Sequence, residues 1–160
     1  MKDTNETPTL YDWAGGMAAF EKLTDVFYKK VLQDELLEPI FKHMDAKHQL
    51  HVAHFIAEVF GGPKMYSSNE GSHFKMIQKH LFRQLTEPHR KQWVKLLIEA
   101  ADEIELPDDP EFRSAFVAYI EWGTRIAVLN SNATGFVMNE NEPMPKWDWG
   151  VPGGPFEPKE

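Results

Sequence analysis

The chain has 160 residues, enough for one domain with a real core, and its apolar and charged fractions of 42% and 26% are those of an ordinary globular protein. A formal net charge of −8 with no basic run argues against nucleic acid and anionic membranes as partners, leaving a small ligand, a cofactor or another protein. Cysteine is absent, which excludes disulfides, iron–sulfur ligation and thiol catalysis; with no signal-peptide pattern and no apolar run long enough to cross a bilayer, the expected location is the cytoplasm.

Residues 1–8 read as a disordered N-terminus. Tyr11 and Trp13 open an ordered segment that Gly15 and Gly16 break. From Met17 the apolar residues Phe20, Leu23, Phe27 and Val31 recur at helical spacing, with Tyr28 at the edge of that stripe. Asp34 is placed to cap a short helix through Leu37, Ile40 and Phe41, and Pro39 predicts an irregular turn within it. A third helix is expected over about 45–60, with Val52, Phe55, Ile56, Val59 and Phe60 on its apolar face; one turn back, that face reaches His48. Gly61, Gly62 and Pro63 stop it, and 64–71 read as a loop.

A short helix carrying His80 follows. Thr86, with Glu87 behind it, caps the next helix, whose stripe Trp93, Leu96, Leu97, Ala100, Ala101 and Ile104 is the cleanest in the chain. Asp109 and Pro110 start the last helix, which turns Phe112, Phe116, Tyr119, Ile120 and Ile126 inward and ends near Asn130 and Ser131. Residues 9–131 thus form one all-α domain of about five main helices, with no strand run. Residues 132–160 form an extension rich in proline, glycine and aromatic residues, either a flexible tail or a segment that docks through Trp147, Trp149 and Phe156.

Seven histidines and five tryptophans in a chain of this size raise the question of a metal or cofactor. A haem needs an axial imidazole, apolar walls, cations or hydroxyls for its propionates, and donors above the iron where a gas is to be held. His80 on its half-apolar helix is a candidate ligand, and Arg83, one turn on, could reach a propionate, as could Lys64 and Tyr66. Tyr28 and Trp93 each carry a hydrogen to donate, and Phe41 could lie flat on the macrocycle. Taken singly, each has an ordinary structural alternative: a packed or solvated histidine, a core-edge tyrosine, the first core residue of a helix.

Their joint order resembles the truncated haemoglobins of group II, the two-over-two globin fold. The matching segments are AGGM at 14–17, Phe27 with Tyr28, LLEPI before Phe41, EVFGGPKMYS at 58–67, KHLFR at 79–83, QWVKLL at 92–97 and LPDDPEFRSAFVAYIEWG at 106–123. The resemblance covers about residues 9–131. It implies a helical sandwich around haem b, with His80 as proximal iron ligand and Tyr28 and Trp93 as donors to the distal ligand. It puts His48 and Val52 over the iron, beside Phe55 on the same helix face, and Arg83, Lys64 and Tyr66 near the propionates. Phe41 stands where many relatives carry tyrosine or histidine, and His48 where many carry a small residue. His48 could therefore donate to ligand, bind iron, or swing to solvent.

The function so implied is binding of oxygen, nitric oxide and carbon monoxide with slow oxygen release, and redox chemistry on the ligand such as nitric oxide oxidation or peroxide handling. A reductase would be the partner of a monomer or homodimer. The alternative reading is a non-haem zinc or iron enzyme that uses His43, His48, His51 and His54, whose spacings of three put neighbours on one helix face. It lacks an H-E-x-x-H motif and the E-x-x-H pairs of di-iron bundles.

Overall fold

The computed structural model describes residues 7–45, 47–72, 75, 83–132 and 143–150. Every element among them is a helix: α1 (Leu10–Ala14), α2 (Met17–Val31), α3 (Glu38–Phe41), α4 (His48–Val59), α5 (Met65–Asn69), α6 (Glu87–Glu103) and α7 (Pro110–Asn132). The segment around His80 lies outside the described residues.

The starts of the helices follow from short polar side chains. Thr9 Oγ1 accepts from Asp12 N at the head of α1. Thr86 and His89 form a reciprocal capping box at the head of α6, with an imidazole in the place usually held by a carboxylate or amide. Asp34 Oδ1 accepts from the amides of Leu36 and Leu37, so it caps the turn into α3 as its sequence position predicts. Pro39 fits α3 without distortion, contrary to the irregular turn expected of it. It sits in the first turn, where its missing amide hydrogen would have had no helical acceptor. The loop expected over 64–71 contains the single-turn helix α5.

Two layers result. α2 packs on α4, α6 packs on α7, and α2 lies against α6 to join the pairs. Phe60, fully buried, is the hub between layers: its ring meets Phe20 at 5.8 Å, Phe116 at 6.1 Å and Tyr119 at 5.3 Å. Gly61 and Gly62 let α1 cross the end of α4. A Cβ on Gly62 would stand 2.6 Å from the Tyr11 ring, one on Gly61 would meet Thr9 at 2.9 Å, and Gly61 has a φ of +98°. Tyr11 N bonds the Phe60 carbonyl across this approach.

The turn between α6 and α7 is pinned by Arg113, which donates to the carbonyls of Pro107 and Leu106 and to Asp102. Asp109 has two tasks there. Its Oδ2 caps α7 through Phe112 N at 2.9 Å, and its Oδ1 accepts from the Trp13 indole at 2.8 Å. Asp109→Ala removes a cap and the acceptor of the Trp13 indole hydrogen, so it should cost about 2 kcal/mol of unfolding free energy. A urea midpoint equal to that of the wild type would show that neither bond contributes.

The segments on either side of 9–131 meet: the Pro8 carbonyl accepts from the Trp149 indole at 2.8 Å. Residues 143–150 dock on the domain, with Trp149 only 8% exposed. Of the two readings of the extension, docking holds for this segment; Phe156 lies outside the described residues.

Candidate functional site

Tyr28 and Phe27 are adjacent on α2, and their directions differ by one helical step. Phe27 enters the core, while Tyr28 turns to the space between α2, α3 and α4. There its ring meets Phe41 of α3 at 5.9 Å and His48 of α4 at 5.4 Å, and its hydroxyl lies 3.1 Å from His48 Nε2. Trp93, in the second turn of α6, reaches the same space and packs edge-on against Phe27 at 4.8 Å. Among the described residues the Trp93 side chain makes no hydrogen bond.

These side chains border a cavity of about 810 Å³. Its walls are largely apolar: Phe41, Val52, Phe55 and Ile56 on one side, Ile120 and Ile126 on the other. Arg83, exposed, and Arg90, buried, are the arginines of its wall. Burial pushes the Tyr28 phenol well above its ordinary value, so its hydroxyl keeps its hydrogen.

The cavity brings together seven of the ten site residues expected from sequence: Tyr28, Phe41, His48, Val52, Phe55, Arg83 and Trp93. It leaves out Lys64, exposed at the head of α5, and Tyr66. The latter is fully buried behind Phe55, edge-on at 5.1 Å, and its hydroxyl donates to the Ser72 carbonyl at 3.2 Å. The tenth, His80, lies outside the described residues.

Arg90 is a wall residue that sequence reasoning missed. It is 6% exposed, its Nε and Nη2 fork onto the Glu87 carboxylate, and its Nη1 reaches Glu121 at 3.1 Å. Those bonds hold the Glu87 carboxyl below its ordinary value. One signal was available: Arg90 stands three residues before Trp93, on the same side of α6.

The four-histidine reading is not supported. His43, His48 and His51 border the cavity, but His54 turns away and is buried, its Nδ1 2.6 Å from Glu70 Oε1 and its Nε2 3.4 Å from Glu21 Oε1. Among the described residues no group of three or more histidine or acidic side chains could hold a metal ion. No helix among them is long and apolar enough to cross a membrane.

The cavity fits a haem. Its volume lies within the range of about 300–1,000 Å³ usual for cofactor sites, and its largely apolar walls suit a flat apolar macrocycle. Two helix pairs around such a cavity define a truncated globin. Residues 9–122 match the bacterial-like globin family, and the chain belongs to that family.

It is 38% identical over 85 residues to the group 1 truncated haemoglobin GlbN of Nostoc sp. (strain MUN 8820), covering 46% of this chain and 72% of that one. It is 26% identical over 118 residues to the group 2 truncated haemoglobin YjbI of Bacillus subtilis (strain 168), covering 74% and 87%. The crystal structure of a haemoglobin from Chloroflexus aurantiacus superposes with a TM-score of 0.68 at 28% identity, covering 79% of this chain and all of that one. The truncated-haemoglobin resemblance is thus borne out, and the group II likeness has the YjbI match behind it. Membership carries with it the binding of haem and of small gas ligands.

Proposed function

We propose that the protein holds haem b through His80 and binds diatomic gases, with Tyr28 and Trp93 as hydrogen-bond donors that make oxygen release slow. The observation that carries this reading is the buried Tyr28 hydroxyl, 3.1 Å from His48 Nε2 in the wall that Trp93 also borders. Haem, when bound, supplies an iron that can hold oxygen, nitric oxide, carbon monoxide or peroxide. Phe41, Val52 and Phe55 would line the macrocycle and exclude water, and Arg83 at the cavity wall would meet a propionate.

The tautomer of His48 decides what Tyr28 can do. If His48 Nε2 carries its hydrogen, it donates to the phenol oxygen and leaves the phenol hydrogen free to point into the cavity. The phenol is then aimed by one donor while it acts as another, and Trp93 adds a second donor from α6. Hydrogen bonds to a group that gains negative charge are about twice as strong as neutral ones, so two of them favour retention over transport. Reaction of the held ligand, such as oxidation of nitric oxide to nitrate, fits that balance and requires an electron-donating reductase as partner. The absence of cysteine accords with a reducing cytoplasm as the setting.

The same pair favours peroxide handling as a second activity. The half-buried His48 imidazole at the cavity can take up a peroxide proton and return it to the leaving oxygen. Absorption spectra of the ferric, reduced and carbon monoxide forms after hemin addition test the first reading, and a protein that stays colourless ends it. His48→Ala should slow the reaction with peroxide by roughly a hundredfold; an unchanged rate removes the second activity and leaves gas binding standing.

A further inference from the structure

The family match ends at Trp122, yet the cavity wall does not. Pro145 borders the cavity together with Tyr119, Trp122 and Gly123 of α7. Two residues later Trp147 covers the outer side of that wall: its ring meets Tyr119 at 5.5 Å and Trp122 at 5.6 Å. These two stand one turn apart on α7, so a single indole spans both.

The segment runs extended, as its alternation shows. Lys146, Asp148 and Gly150 are exposed, while Trp147 is half-buried and Trp149 buried. It is anchored twice. The Trp147 amide donates to the Val59 carbonyl at the end of α4, at 2.9 Å. The Trp149 ring packs edge-on against Trp13 at 5.8 Å, and its indole nitrogen donates to the Pro8 carbonyl. One short stretch thereby ties α1, the end of α4 and the middle of α7, and it contributes a wall residue between the two layers.

From this we propose that residues 143–150 are a strap that completes the haem cavity and sets how fast the cofactor leaves it. Trp147 is the positioning residue. The inference rests on the haem reading of the cavity. Cofactor escape past α7 needs Tyr119 and Trp122 to move, and both are clamped from outside by the Trp147 ring. Lifting the strap breaks two aromatic contacts and the Val59 bond together, and those costs add to the barrier for escape.

The test is haem transfer from the full-length ferric protein to excess apomyoglobin, followed at the Soret band. Trp147→Ala should lose haem roughly tenfold faster, since each aromatic contact is worth about half to one factor of ten. Trp147→Phe, which keeps a ring on Tyr119 and Trp122, should stay close to wild type. Trp149→Ala, at the second anchor, should also accelerate loss. Urea midpoints of the hemin-free variants separate the strap from general destabilisation. Loss rates equal to wild type in Trp147→Ala and Trp149→Ala overturn the strap, as does acceleration that merely tracks the fall in urea midpoint. A wild-type protein that takes up no hemin overturns the haem reading itself, and with it the strap.

Discussion

His80→Gly should give a protein that folds but cannot keep haem, and added imidazole should restore its Soret spectrum. In the proposed reading His80 is the protein's bond to the iron, and the residues of the cavity wall offer packing and propionate contacts. Removing a partner that merely orients a metal ligand already costs about 10- to 100-fold in affinity, so loss of the ligand itself should accelerate haem loss by more than about a hundredfold. Imidazole rescue separates loss of a ligand from misfolding, because the small molecule takes over the coordination role without restoring a misfolded chain. Unchanged haem retention in His80→Gly would move the axial ligand elsewhere, with His48, already in the cavity wall, the first alternative to examine.

Tyr28→Phe should speed oxygen release by about 10- to 100-fold, the range given by one hydrogen bond to a charged group of about 1.5–3 kcal/mol. The substitution keeps the ring, so the contacts with Phe27 at 4.8 Å and Phe41 at 5.9 Å survive and the effect isolates the hydroxyl. It also removes the hydroxyl that lies against His48 Nε2. If His48 then turns into the vacated position as a donor, release will slow again, and Tyr28→Phe combined with His48→Ala will be faster than either alone. Stopped-flow displacement of oxygen by carbon monoxide measures all three. An off-rate unchanged both in Tyr28→Phe and in the double variant would mean that the phenol donates only to His48 and never to the ligand.

The helices were legible because their causes are local. The periodic stripes of α2, α4 and α6 place Phe20, Phe27, Ile56 and Leu97 in the core, and the caps at Asp34, Thr86 and Asp109 each act within a few residues along the chain. Part of the cavity wall followed from the same stripes: Tyr28 lies at the edge of one, and Val52 and His48 fall on the face of another. Where local rules compete, the sequence misled. Pro39 reads as a breaker until its place in the first turn of α3 is known, and Met65–Asn69 is too short and too polar to announce a helix.

Other features depend on segments far apart in the chain. Trp149 meets Pro8, Trp147 meets Val59 and Tyr119, and Arg90 reaches Glu121. Tyr66 shows the converse: its place beside a family motif suggests a rim residue, but Gly71 lies so close to its hydroxyl that a Cβ would stand 2.5 Å away, and the ring is held behind Phe55. By itself the sequence determined the all-helical class and the inward faces of the main helices, because burial of a periodic stripe is settled within each helix. Only the tertiary structure decided that Arg90 joins the cavity, that His54 leaves it for Glu70, and that Pro145 of the extension borders it. Those outcomes turn on which distant surfaces meet, and neither periodicity nor capping carries that information.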